Sequence, residues 1–165
     1  MTNELIPWID KNFRTIPDKD HRAMAGLSMG GMQTVSVTMA NLDKFSHVGL
    51  FSGGAAAGRG RGGAAPAATP GAPAAAPAPP TAAAPLDLKT VYNGQMAVPA
   101  EFNKKVKVLF MSCGSAENAD ALRAHQQQLA TAGITNSYVY ISPGTAHEWQ
   151  TWRRSLYAFA PLLFQ

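Results

Sequence analysis

Short apolar runs alternate with amphipathic stretches in two parts of the chain, residues 1–52 and 86–165. In the first part the spacing of apolar positions predicts a helix over 3–13, a strand over 21–27, a helix over 31–40 and a strand over 45–52. In the second part it predicts short helices over 86–93 and 99–103, a strand over 106–112, a helix over 118–131, a strand over 138–141 and a helix from 147 or 148 to 159. Such alternation is typical of a parallel sheet with helices on its faces. The predicted fold class is α/β, a three-layer α-β-α sandwich on a mostly parallel sheet.

The first and last helices are each predicted to bury one face, because their large apolar residues recur at helical spacing. In the first helix these residues are Leu5, Ile6, Trp8, Ile9 and Phe13. In the last helix they are Trp149, Trp152, Leu156 and Phe159. Both faces are therefore expected to lie in the core.

A low-complexity segment separates the two parts of the chain. Residues 53–85 hold 33 positions, of which 15 are Ala, 7 are Gly and 7 are Pro. Because this segment has no large apolar side chains to bury, it cannot offset the entropy that it would lose on ordering. We expect a disordered or polyproline-like surface insertion without chemistry of its own, inside one domain that spans 1–165.

Composition and charge argue against several classes of partner. The chain has 165 residues, about the length of one domain, and a formal net charge of +4. Its Lys and Arg residues form no stripe interleaved with aromatic residues, which argues against nucleic acid. No apolar run reaches the roughly 18 residues that cross a membrane, and the first residues lack the layout of a secretion signal. The single cysteine, Cys113, excludes an internal disulfide.

The stretch Gly26-Leu27-Ser28-Met29-Gly30 matches the motif G-x-S-x-G between a predicted strand and a predicted helix. In α/β-hydrolases this motif is a sharp turn that presents its serine as a nucleophile. A Cβ at either flanking glycine is expected to collide with the neighbouring strand or helix. The N–H of Met29 is expected to point at a developing oxyanion. The alternative interpretation is a glycine-rich turn in which Ser28 caps the helix.

A serine nucleophile needs an imidazole that takes its proton, and the chain has four histidines. His147 follows the 138–141 strand at the edge of the sheet where the serine lies, and it comes last, in the chain order of α/β-hydrolases. The others lie before the serine-bearing strand, within a buried strand and in mid-helix: His21, His47 and His125. Structural or solvated roles are expected for these three. The alternative interpretation is that His147 is a residue at a helix N-terminus with no catalytic role.

The imidazole in turn needs a carboxylate, and five carboxylates lie between the serine and His147 in the chain. They are Asp43, Asp87, Glu101, Glu117 and Asp120. The first three are predicted to lie at the wrong end of the sheet. Glu117 follows the 106–112 strand at the correct end and is the predicted acid, with Asp120, one turn into the next helix, as the second choice. The alternative for Glu117 is a first-turn carboxylate that the helix dipole favours.

Several short motifs together resemble one known family. They are the stretch 26–31, the tripeptide Phe51-Ser52-Gly53, the loop 113–117, the run His147-Glu148-Trp149-Gln150-Thr151-Trp152-Arg153 and the ending 157–164. The family is the esterase D-like group of the α/β-hydrolase superfamily. Within it, the chain is most similar to the feruloyl and acetyl xylan esterases of the first carbohydrate-esterase family. The resemblance covers both parts of the chain outside 53–85.

The resemblance implies an α/β-hydrolase fold and a carboxylic ester hydrolase that uses no metal or cofactor. Ser28 would be the nucleophile, Glu117 the acid and His147 the base. Feruloyl or acetyl esters of plant polysaccharide, or small esters, are the implied substrates, and secretion or a periplasmic place is the implied localisation. Trp149 and Trp152 are candidates for stacking on an aromatic acyl group or a sugar. Asp is common in the family at the position of Glu117, and Glu supplies the same carboxylate.

The family's catalytic domain is normally longer at the front, where it holds the first strands and a second oxyanion-hole donor. We therefore expect a truncated chain, a partial α/β-hydrolase with an exposed strand edge through which a homo-oligomer could form. Two other functions stand as alternatives. One is a catalytically impaired fragment that binds or oligomerises, and the other is an acyltransferase that uses the same site.

Overall fold

A computed structural model of the protein describes residues 1–55 and 86–165. Its helices and strands are, in chain order, α1 Leu5–Asn12, β1 Ala23–Leu27, α2 Met29–Met39, β2 His47–Phe51, α3 Pro99–Lys105, β3 Val108–Gly114, α4 Ala119–Thr131, β4 Ser137–Ser142 and α5 Trp149–Phe159. Short 3₁₀ turns lie at Lys19–His21, Val91–Gly94 and Ala160–Leu162. The predicted alternation of strands and helices is confirmed.

The four strands form one parallel sheet in the order β1-β2-β3-β4. β2 and β3 are buried along their whole length, because helices cover both faces of the sheet. On one face, Leu50 and Met111 belong to a core that includes buried residues of α2 and α4. On the other face, Phe51 and Phe110 pack against Phe159 of α5. Since all four strands run the same way, their carboxyl ends meet at one edge of the sheet.

β1 lies at one side of this sheet and, within the described ranges, pairs with β2 alone. Its residues Ala25 and Leu27 are exposed. An unpaired strand offers a row of N–H and C=O groups to a further strand. The exposed edge expected from the sequence is thus present in the described part of the chain.

The prediction that α1 buries one face is wrong. No residue of α1 is buried, and Leu5 and Trp8 are 50% and 55% exposed. The helix borders an apolar cavity of about 540 Å³, which Met24 and Phe164 also line. Periodicity identifies an apolar face, but it does not reveal whether any described residue covers that face.

Only part of the core face predicted for α5 is buried. Phe159 is buried, whereas Trp152 is half-buried and Trp149 and Leu156 are exposed. Trp149 opens the helix two residues after His147, at the carboxyl edge of the sheet. Trp149 therefore borders that edge, whereas Trp152 packs against the buried cluster that contains Phe159.

The helix predicted over 86–93 is absent. A turn over 88–90 and the 3₁₀ turn Val91–Gly94 take its place. This turn is kinked at Tyr92 and Asn93, whose φ values of 49° and 58° lie in the left-handed region, so no regular right-handed helix passes through it.

The strand predicted from residue 21 begins two residues later, at Ala23. His21 belongs to the 3₁₀ turn Lys19–His21 instead. The carboxylate of Asp18 accepts the N–H of His21 at 2.9 Å and so caps this turn.

Most of the predicted insertion, residues 56–85, lies outside the described residues. The predicted start at 53 is wrong, because residues 53–55 belong to the fold. Ala55 is buried, and its carbonyl accepts a hydrogen bond from the hydroxyl of Tyr92 at 3.2 Å. Composition does not distinguish small residues that pack closely against a core from small residues of low-complexity sequence.

Candidate active site

The loops after β1, β3 and β4 bring three predicted residues together at the carboxyl edge of the sheet. Ser28 follows β1, Glu117 follows β3, and His147 lies between β4 and α5. Nε2 of His147 is 2.9 Å from the hydroxyl oxygen of Ser28, and Nδ1 is 2.9 Å from Oε1 of Glu117. The three side chains form a continuous hydrogen-bonded row between residues that are 119 and 30 positions apart in the chain.

Ser28 lies on a sharp turn between β1 and α2. Its backbone has φ 53° and ψ −120°, a strained conformation for a residue with a side chain. Its N–H donates to the carbonyl of Phe51 at 2.7 Å, which ties the turn to the neighbouring strand. Its hydroxyl makes no hydrogen bond to the first turn of α2. Ser28 is therefore no side-chain cap, the alternative considered from the sequence, and its hydroxyl meets His147 instead.

Close packing explains one flanking glycine of the motif but not the other. A Cβ on Gly26 would overlap the carbonyl oxygen of Gly30, whereas a Cβ on Gly30 would meet open space. The prediction that both positions exclude a side chain is wrong for Gly30. The next residue, Gly31, is the buried one, and its Cβ would lie 2.5 Å from the carbonyl oxygen of Gly53. The closely packed side of α2 thus begins one residue later than the motif suggests.

We expect Gly26→Ala to lower the free energy of unfolding by about 3 kcal/mol, because the obstructing atoms belong to the backbone of the turn. Gly30→Ala is expected to raise it by up to about 1 kcal/mol, since alanine loses less entropy than glycine in a helix. Urea denaturation of the two variants measures the difference. Equal stabilities would contradict the packing described for Gly26.

Glu117 is held by hydrogen bonds to both of its carboxylate oxygens. Oε1 faces His147, while Oε2 accepts the N–H of Gly114 at 2.6 Å and the hydroxyl of Ser52 at 2.8 Å. Burial by itself favours the neutral acid, but these hydrogen bonds outweigh it and hold the pKa of the Glu117 carboxyl below its usual value. Glu117 is therefore ionised at neutral pH and can stabilise a positive charge on the imidazole.

The other histidines and the second-choice acid lie outside this row. His21 belongs to an exposed turn, while His47 and His125 are buried, and desolvation lowers the pKa of both buried imidazoles. Asp120 lies in the first turn of α4. Ser28 and Glu117 already engage the two ring nitrogens of His147.

Met29 begins α2 directly after Ser28. The first N–H groups of a helix have no acceptor within the helix and lie at its positive end. The N–H of Met29 belongs to these first groups, so Met29 stays the predicted oxyanion donor.

One tryptophan borders the imidazole, and a second tryptophan lies against the first. Trp152 meets the ring of His147 edge-on at a centroid distance of 5.2 Å, and Trp149 meets Trp152 edge-on at 6.3 Å. Trp149 is 69% exposed, so it is not a core residue. Trp152 is half-buried, and its indole N–H has no hydrogen-bond partner among the described residues. One side of the imidazole is thus covered by Trp152, while Trp149 offers an open aromatic surface nearby.

Sequence reasoning gave no role to Ser52, although its hydroxyl binds the carboxylate of Glu117. A signal was present, because Ser52 directly follows a buried strand at the carboxyl edge of the sheet. Side chains at that edge are the ones that meet in a site of this fold.

In the described ranges, no helix is both long and apolar enough to span a membrane. The same residues contain no group of three or more His, Cys, Asp or Glu side chains that could hold a metal ion.

Sequence comparisons relate the chain to esterases. The model of the esterase family, described as "Putative esterase", matches residues 1–163. An endo-1,4-beta-xylanase/feruloyl esterase of Xylanibacter ruminicola is 35% identical over 165 residues, which are 100% of this chain and 17% of that protein. An esterase of Mycobacterium tuberculosis is 40% identical over 50 residues, which are 30% of this chain and 11% of that protein. The chain thus spans a minor part of the length of the curated relatives that it matches.

Solved structures of esterases share the fold. A ferulic acid esterase superposes with a TM-score of 0.60 at 22% identity, over 98% of this chain and 58% of that one. A mutant of the feruloyl esterase module from Clostridium thermocellum, complexed with sinapinate, superposes with a TM-score of 0.63 at 17% identity. The superposition covers 98% of this chain and 56% of that one. These likenesses confirm the predicted α/β-hydrolase fold. Because the family model covers nearly the whole chain, the protein belongs to the esterase family.

Proposed function

We propose that the protein is a serine carboxylic-ester hydrolase that acts through a triad of Ser28, His147 and Glu117 and an acyl-enzyme intermediate. The observation that carries this proposal is the row of hydrogen bonds from the Ser28 hydroxyl to the Glu117 carboxylate, with 2.9 Å on each side of the imidazole. A serine hydroxyl is a weak nucleophile, and such a row activates it. Membership of the esterase family supports the same class of reaction.

In the first half-reaction, Oγ of Ser28 attacks the carbonyl carbon of the ester while Nε2 of His147 takes the hydroxyl proton. The oxygen that becomes negative accepts a hydrogen bond from the N–H of Met29. Glu117 keeps the proton on Nδ1 and stabilises the imidazolium. His147 then gives its Nε2 proton to the leaving alcohol, and the acyl group remains on Ser28.

In the second half-reaction, water replaces the alcohol. The side chain of His147 is 49% exposed, so water has access to the imidazole. His147 takes a proton from this water molecule while the water oxygen attacks the acyl carbon. The tetrahedral intermediate collapses, the proton returns to Oγ of Ser28, and the free carboxylic acid leaves.

Aromatic acyl esters of plant polysaccharide are the proposed substrate class, with acetyl and small esters as the alternatives. The names of the relatives support this choice, since three of the four are named as feruloyl or ferulic acid esterases. The exposed ring of Trp149 also supports it, because a feruloyl ring could stack on an open aromatic surface beside the imidazole.

A fluorophosphonate probe tests the proposed nucleophile. We expect it to label Ser28 of the folded protein, because only a serine that an imidazole activates attacks such a probe readily. Mass spectrometry of the labelled peptide identifies the site. Ser36, an exposed serine of α2 whose hydroxyl donates to the carbonyl of Met32, is the internal control and should remain unlabelled. Parallel assays with methyl ferulate and nitrophenyl acetate compare the two ester classes.

The unpaired side of β1 favours a second candidate, a module that binds or oligomerises without catalysis. This candidate predicts that folded protein gives no covalent label on Ser28. An acyltransferase would be labelled like a hydrolase. It would differ in its products, because addition of a sugar acceptor would then yield a new ester in place of the free acid.

A further inference from the structure

The carboxylate oxygen of Glu117 that faces away from His147 is held by a residue outside the proposed triad. Ser52 donates its hydroxyl to this Oε2 atom at 2.8 Å, beside the N–H of Gly114 at 2.6 Å. Gly114 is three positions from Glu117, so its hydrogen bond is local. Ser52 is 65 positions away, so its hydrogen bond fixes the carboxylate against a different strand.

The position of Ser52 is itself tightly defined. Its N–H donates to the carbonyl of Ser112 on β3 at 2.7 Å. Its φ is 52°, a strained value for a residue with a side chain. Glycine would adopt this φ without strain. The presence of serine at such a position points to a role for its hydroxyl.

The tripeptide that carries this hydroxyl also contacts the proposed nucleophile. The carbonyl of Phe51 accepts the N–H of Ser28 at 2.7 Å. A Cβ on Gly53 would overlap the carbonyl oxygen of Ser28, so the two backbones are in close contact. Residues 51–53 therefore hold the backbone of Ser28 on one side and the carboxylate of Glu117 on the other.

We propose that Ser52 is a positioning residue for the esterase reaction, whose hydroxyl holds the Glu117 carboxylate so that Oε1 meets Nδ1 of His147. This inference rests on the proposed function. Without the hydroxyl, Oε2 would keep only the N–H of Gly114, and the carboxylate could turn away from the imidazole. Burial raises the pKa of the neighbouring Cys113 thiol to about 11, so this thiol is neutral and adds no negative charge beside the Glu117 carboxylate.

Two substitutions separate the hydroxyl from the backbone of Ser52. Ser52→Ala removes the hydroxyl and keeps the strained φ, whereas Ser52→Gly removes the hydroxyl and relieves the strain. We expect both to lower kcat by about 10- to 100-fold with KM unchanged, the range for loss of a hydrogen bond to a charged group. Ser36→Ala, which removes an exposed hydroxyl of α2, should change neither constant.

Two measurements distinguish positioning from a purely structural role. The pKa of the Glu117 carboxyl, followed by NMR of a ¹³C-labelled carboxyl group, should rise in both variants, because the hydroxyl of Ser52 favours the ionised form. The melting temperature of Ser52→Gly should fall less than that of Ser52→Ala while kcat falls equally in both, since glycine alone relieves the backbone strain.

An unchanged kcat together with an unchanged Glu117 pKa in both variants would overturn the inference. A fall in kcat that follows the melting temperature while the Glu117 pKa stays constant would overturn it too. If the wild-type chain hydrolyses no ester, the proposed function fails. The NMR titration needs no turnover. In that case it still tests whether the Ser52 hydroxyl binds and positions the Glu117 carboxylate.

Discussion

Ser28→Ala is expected to lower kcat for ester hydrolysis by about 10⁶-fold, the loss typical when a serine nucleophile is removed. The Ser28 hydroxyl is the group that meets Nε2 of His147 at 2.9 Å, so its removal leaves the imidazole with no nucleophile to activate. The remaining rate over water would come from substrate binding and the oxyanion donor. Steady-state hydrolysis of methyl ferulate measures the effect.

The fold of Ser28→Ala should survive, which makes its kinetics interpretable. Alanine also carries a Cβ, so the strain at φ 53° is unchanged, and the lost hydroxyl capped no helix. We expect the free energy of unfolding to change by less than about 1.5 kcal/mol, the net value of one hydrogen bond. Ser36→Ala is the matched control with normal activity. Turnover by Ser28→Ala comparable with that of the wild type would refute the proposed nucleophile.

The meeting of Ser28, Glu117 and His147 could be expected from the sequence, because each follows a strand and parallel strands end at one edge of a sheet. The order of the elements was predictable for a related reason. The run 108–111 is continuously apolar, and this pattern is typical of strands buried on both faces.

The remaining features depend on tertiary contacts that a linear pattern does not contain. Nothing in the spacing of Gly30 and Gly31 tells which of them faces the loop after β2. The apolar face of α1 has the same periodicity as a covered face. The hydrogen bond from Ser52 to Glu117 joins residues 65 positions apart, and it requires the register of β2 on β3 to exist.

Glu117→Gln is expected to lower kcat by about 10⁴-fold, although glutamine has nearly the same shape. Two donors, the N–H of Gly114 and the hydroxyl of Ser52, face the place of Oε2, so the amide oxygen will turn toward them. The amide NH₂ then faces Nδ1 of His147 and donates to it, which leaves the ring proton on Nε2. That tautomer cannot take the proton of Ser28, and no negative charge remains to stabilise an imidazolium.

The pH dependence of this loss is a specific test of the carboxylate. In the wild type the pKa of Glu117 is held below its usual value, so the ionised form and the stability that it contributes persist as the pH falls and are lost only through the folded-state pKa. Protonated Glu117 is as uncharged as glutamine, so the ratio of wild-type kcat to variant kcat should shrink toward acid pH. Glu101→Gln, which removes an exposed carboxylate paired with Lys104 at 2.8 Å, should leave kcat unchanged at every pH. A ratio that stays constant through the acid range would mean that the charge of Glu117 is not what the imidazole requires.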